Sequence, residues 1–113
     1  MAQDLFAGIP VTDYAMALPW YERFFGGPPS FLPNDTEAVW EVAENRYVYI
    51  AQDPGRAGNA LVLSFVDDLE ERVGEIARQG IEPVKREMYD GGVTKVTYRD
   101  ADGNEISLGG GPG

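Results

Sequence analysis

The side chains that could do chemistry in this 113-residue chain are carboxylates, hydroxyls and aromatic rings, because the sequence has neither histidine nor cysteine. A Ser-His-Asp triad, an imidazole base, a thiolate nucleophile and a His- or Cys-ligated metal are therefore excluded. A metal ion would need an all-oxygen site. The carboxylates of Glu41 and Glu105 could hold a cation, with Arg46, Lys95 or Arg99 as alternative partners. The simpler interpretation is that both carboxylates are solvated.

Three other motifs have structural interpretations. Asp68 and Glu71 have the spacing of a capping box at the start of a helix. Asp100 to Gly103 resembles part of a calcium loop, but the closing glutamate is missing, so the stretch predicts a turn. Gly91-Gly92 and Gly109 to Gly111 precede no helix and therefore do not predict a phosphate-binding loop.

The composition limits the kinds of partner. The net charge is −10, with 19 acidic and 9 basic residues, which disfavours nucleic acid. The acidity is compatible with a cationic ligand, or it serves only to keep the protein in solution. No apolar run approaches the length of a membrane span, and no signal peptide is visible. We therefore expect a cytoplasmic protein with neither a membrane nor a nucleic-acid partner.

Two halves of the chain follow the same pattern of elements. An apolar strand from Leu5 to Val11 precedes an amphipathic helix that stops at Gly26, and a hairpin around Asn45 follows. In the second half, a strand from Ala60 to Val66 precedes a second helix, and the final strand runs from Asn104 to Leu108. Each half therefore predicts the order β-α-β-β-β.

This order predicts an α+β fold for the single domain 1–113, with one βαβββ module over residues 4–53 and another over residues 59–109. Each module would be a concave mixed sheet with a helix on its outer face. One helix cannot cover both faces of a sheet, so the second face needs the sibling module or another chain. The uncovered concave faces would together enclose a cavity.

The fold carries a family resemblance at particular residues. In the first module these are Val11, Asp13, Ala17, Trp20-Tyr21 and Phe25-Gly26, and in the second they are Val66-Asp67-Asp68, Gly80 and Asp100-Ala101-Asp102-Gly103-Asn104-Glu105-Ile106-Ser107-Leu108. The pattern resembles the vicinal oxygen chelate superfamily, which includes glyoxalase I, extradiol dioxygenases, fosfomycin-resistance enzymes and bleomycin-resistance proteins. The resemblance implies the paired-module fold across nearly the whole chain.

The resemblance also identifies where metal-dependent members hold their ion. They place His or Gln seven residues before each helix-capping aspartate, which corresponds to Phe6 and Leu61 here. They place Glu in the last strand of each module, which corresponds to Tyr49 or Ala51 and to Ser107. None of these side chains is a good ligand for a divalent ion. We therefore expect no metal and no cofactor.

Strand alternation sorts the side chains that would line the cavity. Ile9, Val11, Val62, Val66, Ile106 and Leu108 should pack under the helices. The predicted ligand-binding residues are Phe6, Trp40, Tyr47, Tyr49, Leu61, Phe65, Tyr98, Glu105 and Ser107. This apolar and aromatic lining suits a planar or amphipathic ligand. The alternative for the strand aromatics is ordinary sheet packing.

These observations lead to a functional hypothesis. The chain is predicted to be a metal-independent small-molecule binding protein of the bleomycin-resistance type, with no catalytic residue. It would hold an aromatic or cationic ligand in a cavity between modules. The resemblance implies a homodimer in which modules of both chains build each cavity, and the alternative is one chain folded on itself. One alternative is a glyoxalase- or isomerase-like enzyme with atypical ligands, using Glu41 or Glu105 as its base. The other is a structural or interaction module whose cavity is filled by its own side chains.

Overall fold

Two four-stranded sheets and two helices make up the computed structural model, which describes residues 3–111. In chain order the elements are β1 (Leu5–Val11), α1 (Tyr14–Phe25), β2 (Phe31–Asn34), β3 (Glu37–Ala43), β4 (Arg46–Gln52), β5 (Leu61–Phe65), α2 (Leu69–Arg78), β6 (Lys85–Tyr89), β7 (Val93–Arg99) and β8 (Glu105–Gly110). Neither helix in this part of the chain is long and apolar enough to cross a membrane.

The two sheets have the same topology. The first has the strand order β1-β4-β3-β2 and the second has β5-β8-β7-β6. In each sheet the first and last strands of a module pair in parallel, and the other pairs are antiparallel. Each module therefore has the order βαβββ, and the predicted α+β fold with paired modules and mixed sheets is confirmed.

The two helices begin differently. The Asp13 side chain accepts a hydrogen bond of 3.1 Å from the Met16 amide, which caps α1, and Gly26 ends that helix with φ = 84°. Asp68 precedes α2, but its side chain makes no capping bond. Its Oδ2 accepts a hydrogen bond of 3.3 Å from Nε of Arg72 instead. The predicted capping box is therefore wrong, because the Asp68 carboxylate is hydrogen-bonded to Arg72, one turn into the helix, and not to a backbone amide.

A single hydrophobic core joins the two modules. It contains the helix-facing side chains of both sheets, among them Ile9, Val11, Ile106 and Leu108, as alternation predicts. Val62 and Val66 are partly buried against the same core. The ring of Phe24 in α1 lies 5.2 Å from that of Tyr98 in β7, so α1 packs against both sheets.

The turn before β8 ties the modules together through Asn104, which is fully buried. Its Oδ1 accepts hydrogen bonds of 3.0 Å from the amides of Gly58 and Ala60. Its Nδ2 donates to the carbonyl of Pro10 at 2.7 Å and to Oδ2 of Asp100 at 2.9 Å. All four contacts satisfy groups that would otherwise be costly to bury. The calcium-like motif is thus a structural turn.

A second bond across the modules comes from α1. The Tyr21 hydroxyl donates to Oδ2 of Asp100 at 2.6 Å, and both residues are buried. Burial and this hydrogen bond raise the pKa of Tyr21 far above its usual value, so the phenol stays protonated and remains a donor. We call Tyr21, Asp100 and Asn104 the clasp. The amide of Thr12 adds a bond of 3.0 Å to Oδ2 of Asp102 in the same turn.

Candidate functional site

Each sheet has one face against the helices and one face that the chain leaves uncovered, which we call its open face. The cross-strand register assigns the side chains to these faces. The first open face carries Phe6, Gly8, Phe31, Glu37, Val39, Glu41, Tyr47 and Tyr49. The second open face carries Leu61, Leu63, Phe65, Lys85, Glu87, Lys95, Thr97, Arg99, Glu105, Ser107 and Gly109.

The first open face is an aromatic surface. The rings of Phe6 and Tyr47 stack at 4.4 Å and 10°, and Phe31 meets Tyr47 edge-on at 6.4 Å. Phe6 is 47% exposed and Phe31 is 46% exposed. Desolvation, together with the neighbouring Glu41 carboxylate, raises the pKa of Tyr47, so its hydroxyl stays neutral. This surface offers a flat, uncharged platform beside a carboxylate.

A glycine brings one aromatic ring close to the backbone on each open face. A Cβ atom on Gly8 would lie 2.6 Å from Cζ of Tyr49, so the tyrosine ring lies over the β1 backbone. A Cβ atom on Gly109 would lie 2.7 Å from Cε1 of Phe65, so that ring covers the backbone of β8. Both positions therefore require glycine for space.

The second open face combines apolar side chains with a buried hydroxyl pair. Leu61, Leu63 and Phe65 are 80%, 50% and 62% exposed. Oγ1 of Thr97 lies 2.9 Å from Oγ of Ser107, and both residues are buried. The buried hydroxyl pair therefore lies beside β5, whose apolar side chains on this face are exposed to solvent.

The charges on the two open faces differ in sign. The first carries the carboxylates of Glu37 and Glu41, and no Lys or Arg is among the side chains that its register places there. On the second, Nη2 of Arg99 donates to Oε2 of Glu105 at 2.8 Å, and this hydrogen bond lowers the pKa of that carboxyl. Of the three alternative partners proposed for Glu105, Arg99 is thus the correct one. Arg46 instead donates to a backbone carbonyl.

Two predicted lining residues do not lie on an open face. Trp40 pairs with Val48, is 4% exposed, and donates its Nε1 proton to the Gly27 carbonyl at 3.0 Å. Tyr98 pairs with Ile106 and is fully buried. Both side chains point toward the helices, because their partners across the sheet do. The prediction that they line a cavity is therefore wrong, and the packing alternative holds for them.

The other seven predicted lining residues lie on the open faces but do not meet in one chain. Phe6, Tyr47 and Tyr49 belong to the first face, and Leu61, Phe65, Glu105 and Ser107 belong to the second. The helix-bearing sides of both sheets share one core, so the open faces do not face each other. A cavity between them therefore requires another molecule.

Two shallow pockets in the described part of the chain lie away from the open faces. One, of about 330 Å³, is at the start of α2 and is lined by Asp67, Asp68, Leu69, Glu70, Glu71, Thr94, Gly110 and Gly111. The other, of about 480 Å³, is near the end of α1 and is lined by Pro19, Glu22, Arg23, Gly26, Gly27, Pro28 and Gln79. Neither includes any of the predicted ligand-binding residues.

Comparison with known proteins identifies the family. Residues 4–108 match the model of the Glyoxalase/Bleomycin resistance protein/Dioxygenase superfamily, and the chain belongs to that superfamily. The crystal structure of a glyoxalase/bleomycin resistance protein from Catenulispora acidiphila DSM 44928 is 43% identical, with a TM-score of 0.94, over 98% of this chain and 100% of that one. No curated protein sequence matches this chain significantly.

More distant structures share the fold. A bleomycin-binding protein complexed with bleomycin is 19% identical, with a TM-score of 0.76, over 96% of this chain and 98% of that one. A lactoylglutathione lyase from Agrobacterium tumefaciens is 16% identical, with a TM-score of 0.77, over 98% of this chain and 95% of that one. The same backbone therefore occurs in a binding protein and in an enzyme.

The side chains at the family's metal positions do not fit a divalent ion. Phe6 and Leu61 are apolar, the third position offers the phenol of Tyr49 or the methyl group of Ala51, and the Ser107 hydroxyl is hydrogen-bonded to Thr97. Within residues 3–111, no group of three or more His, Cys, Asp or Glu side chains could hold an ion. Oxygen-rich, charged ligand sets are what such ions need.

Sequence reasoning did not place several residues on the open faces, among them Phe31, Lys95 and Thr97. Phe31 extends the aromatic surface, and Thr97 completes the hydroxyl pair. Lys95 was considered only as a partner for a carboxylate. The register across β7 and β8 places Lys95 and Thr97 on this face, opposite Gly109 and Ser107, and that register is not visible in the sequence.

Proposed function

We propose that this chain is a metal-independent small-molecule binding protein of the bleomycin-resistance type, and that two copies hold an aromatic ligand between their open faces. The observation that carries the proposal is the large exposure of apolar side chains on both faces, from 46% at Phe31 to 80% at Leu61. A monomer in water rarely leaves so contiguous an apolar surface uncovered, and such surfaces mark binding sites.

Charge supports a second copy as the cover. The first open face carries Glu37 and Glu41 and no basic side chain, whereas the second carries three basic and two acidic side chains and so a net positive charge. Opposite signs favour contact between the first face of one copy and the second face of the other. Because the reverse contact forms at the same time, the arrangement closes as a symmetric dimer with two equivalent sites.

The shape of the first open face supports an aromatic ligand. The parallel rings of Phe6 and Tyr47 leave a flat surface on which another ring can stack, a contact worth about 0.5–1.5 kcal/mol beyond the area buried. The apolar side chains of Leu63 and Phe65 on a partner would cover the other side of the ligand. Binding of this kind needs no metal, and the family's metal positions supply no suitable ligands.

The dimer is tested by sedimentation velocity with a matched pair of variants. Leu61→Arg places a charge in the proposed interface, and Met16→Arg places one on α1, where Met16 is 78% exposed away from the open faces. We expect the wild type and Met16→Arg to sediment as dimers and Leu61→Arg to sediment as a monomer. A monomeric wild type at micromolar concentration would contradict the dimer.

Ligand binding is tested by thermal shift with small aromatic compounds. A ligand at about 100 times its Kd stabilises the folded state by about 2.7 kcal/mol, which is a readily measured shift. We expect Tyr47→Ala to lose the shift and Met16→Ala to keep it. Equal shifts in both variants, or stoichiometric metal in the purified protein, would contradict the proposal.

A further inference from the structure

We propose that the ligand carries an acidic group, and that Lys95 with the Thr97–Ser107 hydroxyl pair forms the subsite for that group on the second open face. This inference rests on the proposed function and specifies the class of ligand. It replaces the cationic ligand that overall acidity suggests, because the local charge of the second open face has the opposite sign to the charge of the chain.

Lys95 forms no ion pair in the described part of the chain. It is half-buried and lies between Gly109 in β8 and Glu87 in β6 across the strands, but no carboxylate oxygen in residues 3–111 lies within 4 Å of its ammonium group. The chain has 19 acidic and 9 basic residues, so carboxylates are abundant. A lysine that stays unpaired in such a chain is available to an anion from outside.

The carboxylates on the same face already have partners of their own. Glu105 accepts a hydrogen bond from Arg99 at 2.8 Å, and Glu87 lies 3.6 Å from Nζ of Lys85. Three basic and two acidic side chains therefore leave one positive charge in excess on this face, and Lys95 is the basic side chain that forms no ion pair. One excess positive charge matches a monoanion such as a carboxylate.

The hydroxyl pair supplies a donor next to this charge. Thr97 lies two residues from Lys95 on the same face, and Ser107 lies opposite Thr97. Two hydroxyls carry two protons, but the 2.9 Å bond between them uses only one. The second proton needs an acceptor, and a carboxylate oxygen provides one. Lys85 lies directly opposite Thr97, and its flexible side chain, 55% exposed, can move aside for a ligand.

The test compares three probes of nearly the same shape by isothermal titration calorimetry: 2-naphthoate, 2-naphthamide and 2-naphthamidine. They present a negative, a neutral and a positive group on one aromatic system. We expect the wild type to bind the naphthoate about 10- to 100-fold more tightly than the amide, as for a charge-assisted hydrogen bond. Lys95→Met should make the two equal.

Two further variants separate the subsite from general charge. Arg78→Met removes the same charge from α2 and should leave the ratio of naphthoate to naphthamide affinity unchanged. Lys85→Met should reduce the ratio less than Lys95→Met, because Lys85 already has Glu87. If Arg78→Met and Lys95→Met lowered the naphthoate-to-naphthamide affinity ratio equally, the subsite would be wrong, and the preference for the naphthoate would come from long-range charge.

The outcomes distinguish this inference from the proposed function. If the naphthoate binds no more tightly than the amide, or if the amidine binds most tightly, the acidic subsite is wrong while aromatic binding stands. If none of the three probes binds to the dimer, the proposed function itself is contradicted.

Discussion

Removing one hydroxyl group from the clasp should weaken the whole fold. In Tyr21→Phe, the ring and its packing stay, but Asp100 loses the buried donor that lies 2.6 Å from its Oδ2. The carboxylate keeps three other hydrogen bonds, from the amides of Asp102 and Asn104 and from Nδ2 of Asn104. It is therefore not left unpaired, and the loss is that of one hydrogen bond to a charged group, about 1.5–3 kcal/mol.

Equilibrium urea unfolding at one fixed protein concentration measures this loss. A change of that size moves the midpoint by about 1 M while the slope stays the same. Tyr14→Phe is the matched control, because Tyr14 is half-buried on the same helix and its hydroxyl has no partner in residues 3–111. That control should change the free energy of unfolding by less than about 0.5 kcal/mol.

The pH dependence gives a second check. The pKa of Tyr21 is raised in the folded protein by burial and by the bond to Asp100. The wild type therefore keeps its full advantage over Tyr21→Phe from neutral pH up to the ordinary tyrosine pKa of 10.0, and loses it progressively above that value, where the unfolded phenol ionises. A Tyr21→Phe protein as stable as the Tyr14→Phe control would refute the role given to the clasp.

Three other perturbations have definite expected outcomes. Asn104→Ala should lower the free energy of unfolding by at least ~3 kcal/mol, because it leaves several buried polar groups without partners; a loss below about 1 kcal/mol in the same urea assay would contradict this. Gly109→Ala should lower the free energy of unfolding by about 1–3 kcal/mol, because the new methyl group displaces the Phe65 ring, and by much less in a protein that also carries Phe65→Ala. Equal losses in the two backgrounds would contradict the contact between Gly109 and Phe65. Arg99→Gln should raise the pKa of Glu105, measured by carbon-detected NMR titration. Because the pKa of Glu105 is lowered in the folded state, the pair stabilises the protein at pH values above the usual glutamate pKa, and this stabilisation is lost as the pH falls through the lowered pKa. An unchanged Glu105 titration in Arg99→Gln would contradict the pairing.

The module order and most of the side-chain orientations could be predicted from the sequence. Alternation has a period of two, so one correctly placed residue orients a whole strand. Ile9 and Val11 orient β1 because they lie just before the helix-capping Asp13, and Ile106 and Leu108 orient β8 because they lie just after the turn motif. The orientation of Ser107 and Glu105 follows from the same count.

The strands β3 and β7 could not be oriented in this way. Their orientation depends on register across a hairpin, and the register of β3 shifts between Glu41 and Ala43. Trp40 and Tyr98 were placed in the cavity because they are aromatic, but their partners Val48 and Ile106 face the core. A residue's type therefore did not determine which face it occupies.

The position of the open faces also could not be predicted from one sequence. The pattern requires a cover for each sheet, but it does not say whether the sibling module or another chain provides it. The contact between Phe24 and Tyr98 answers this within the chain, because it places α1 against both sheets. Such a long-range contact leaves no periodic trace in the sequence.

The clasp has a consequence for protein synthesis. The hydrogen bonds from the turn before β8 to the first module connect residues 79, 90 and 94 positions apart. A ribosome adds about 5–20 residues per second, so roughly 5–20 s separate the appearance of Pro10 and that of Asn104. Throughout that interval, the nascent first module lacks the side-chain donor for its Pro10 carbonyl, which Asn104 supplies in the folded chain. The hydrogen bonds between the turn before β8 and the first module can therefore form only after nearly all of the chain has been synthesised.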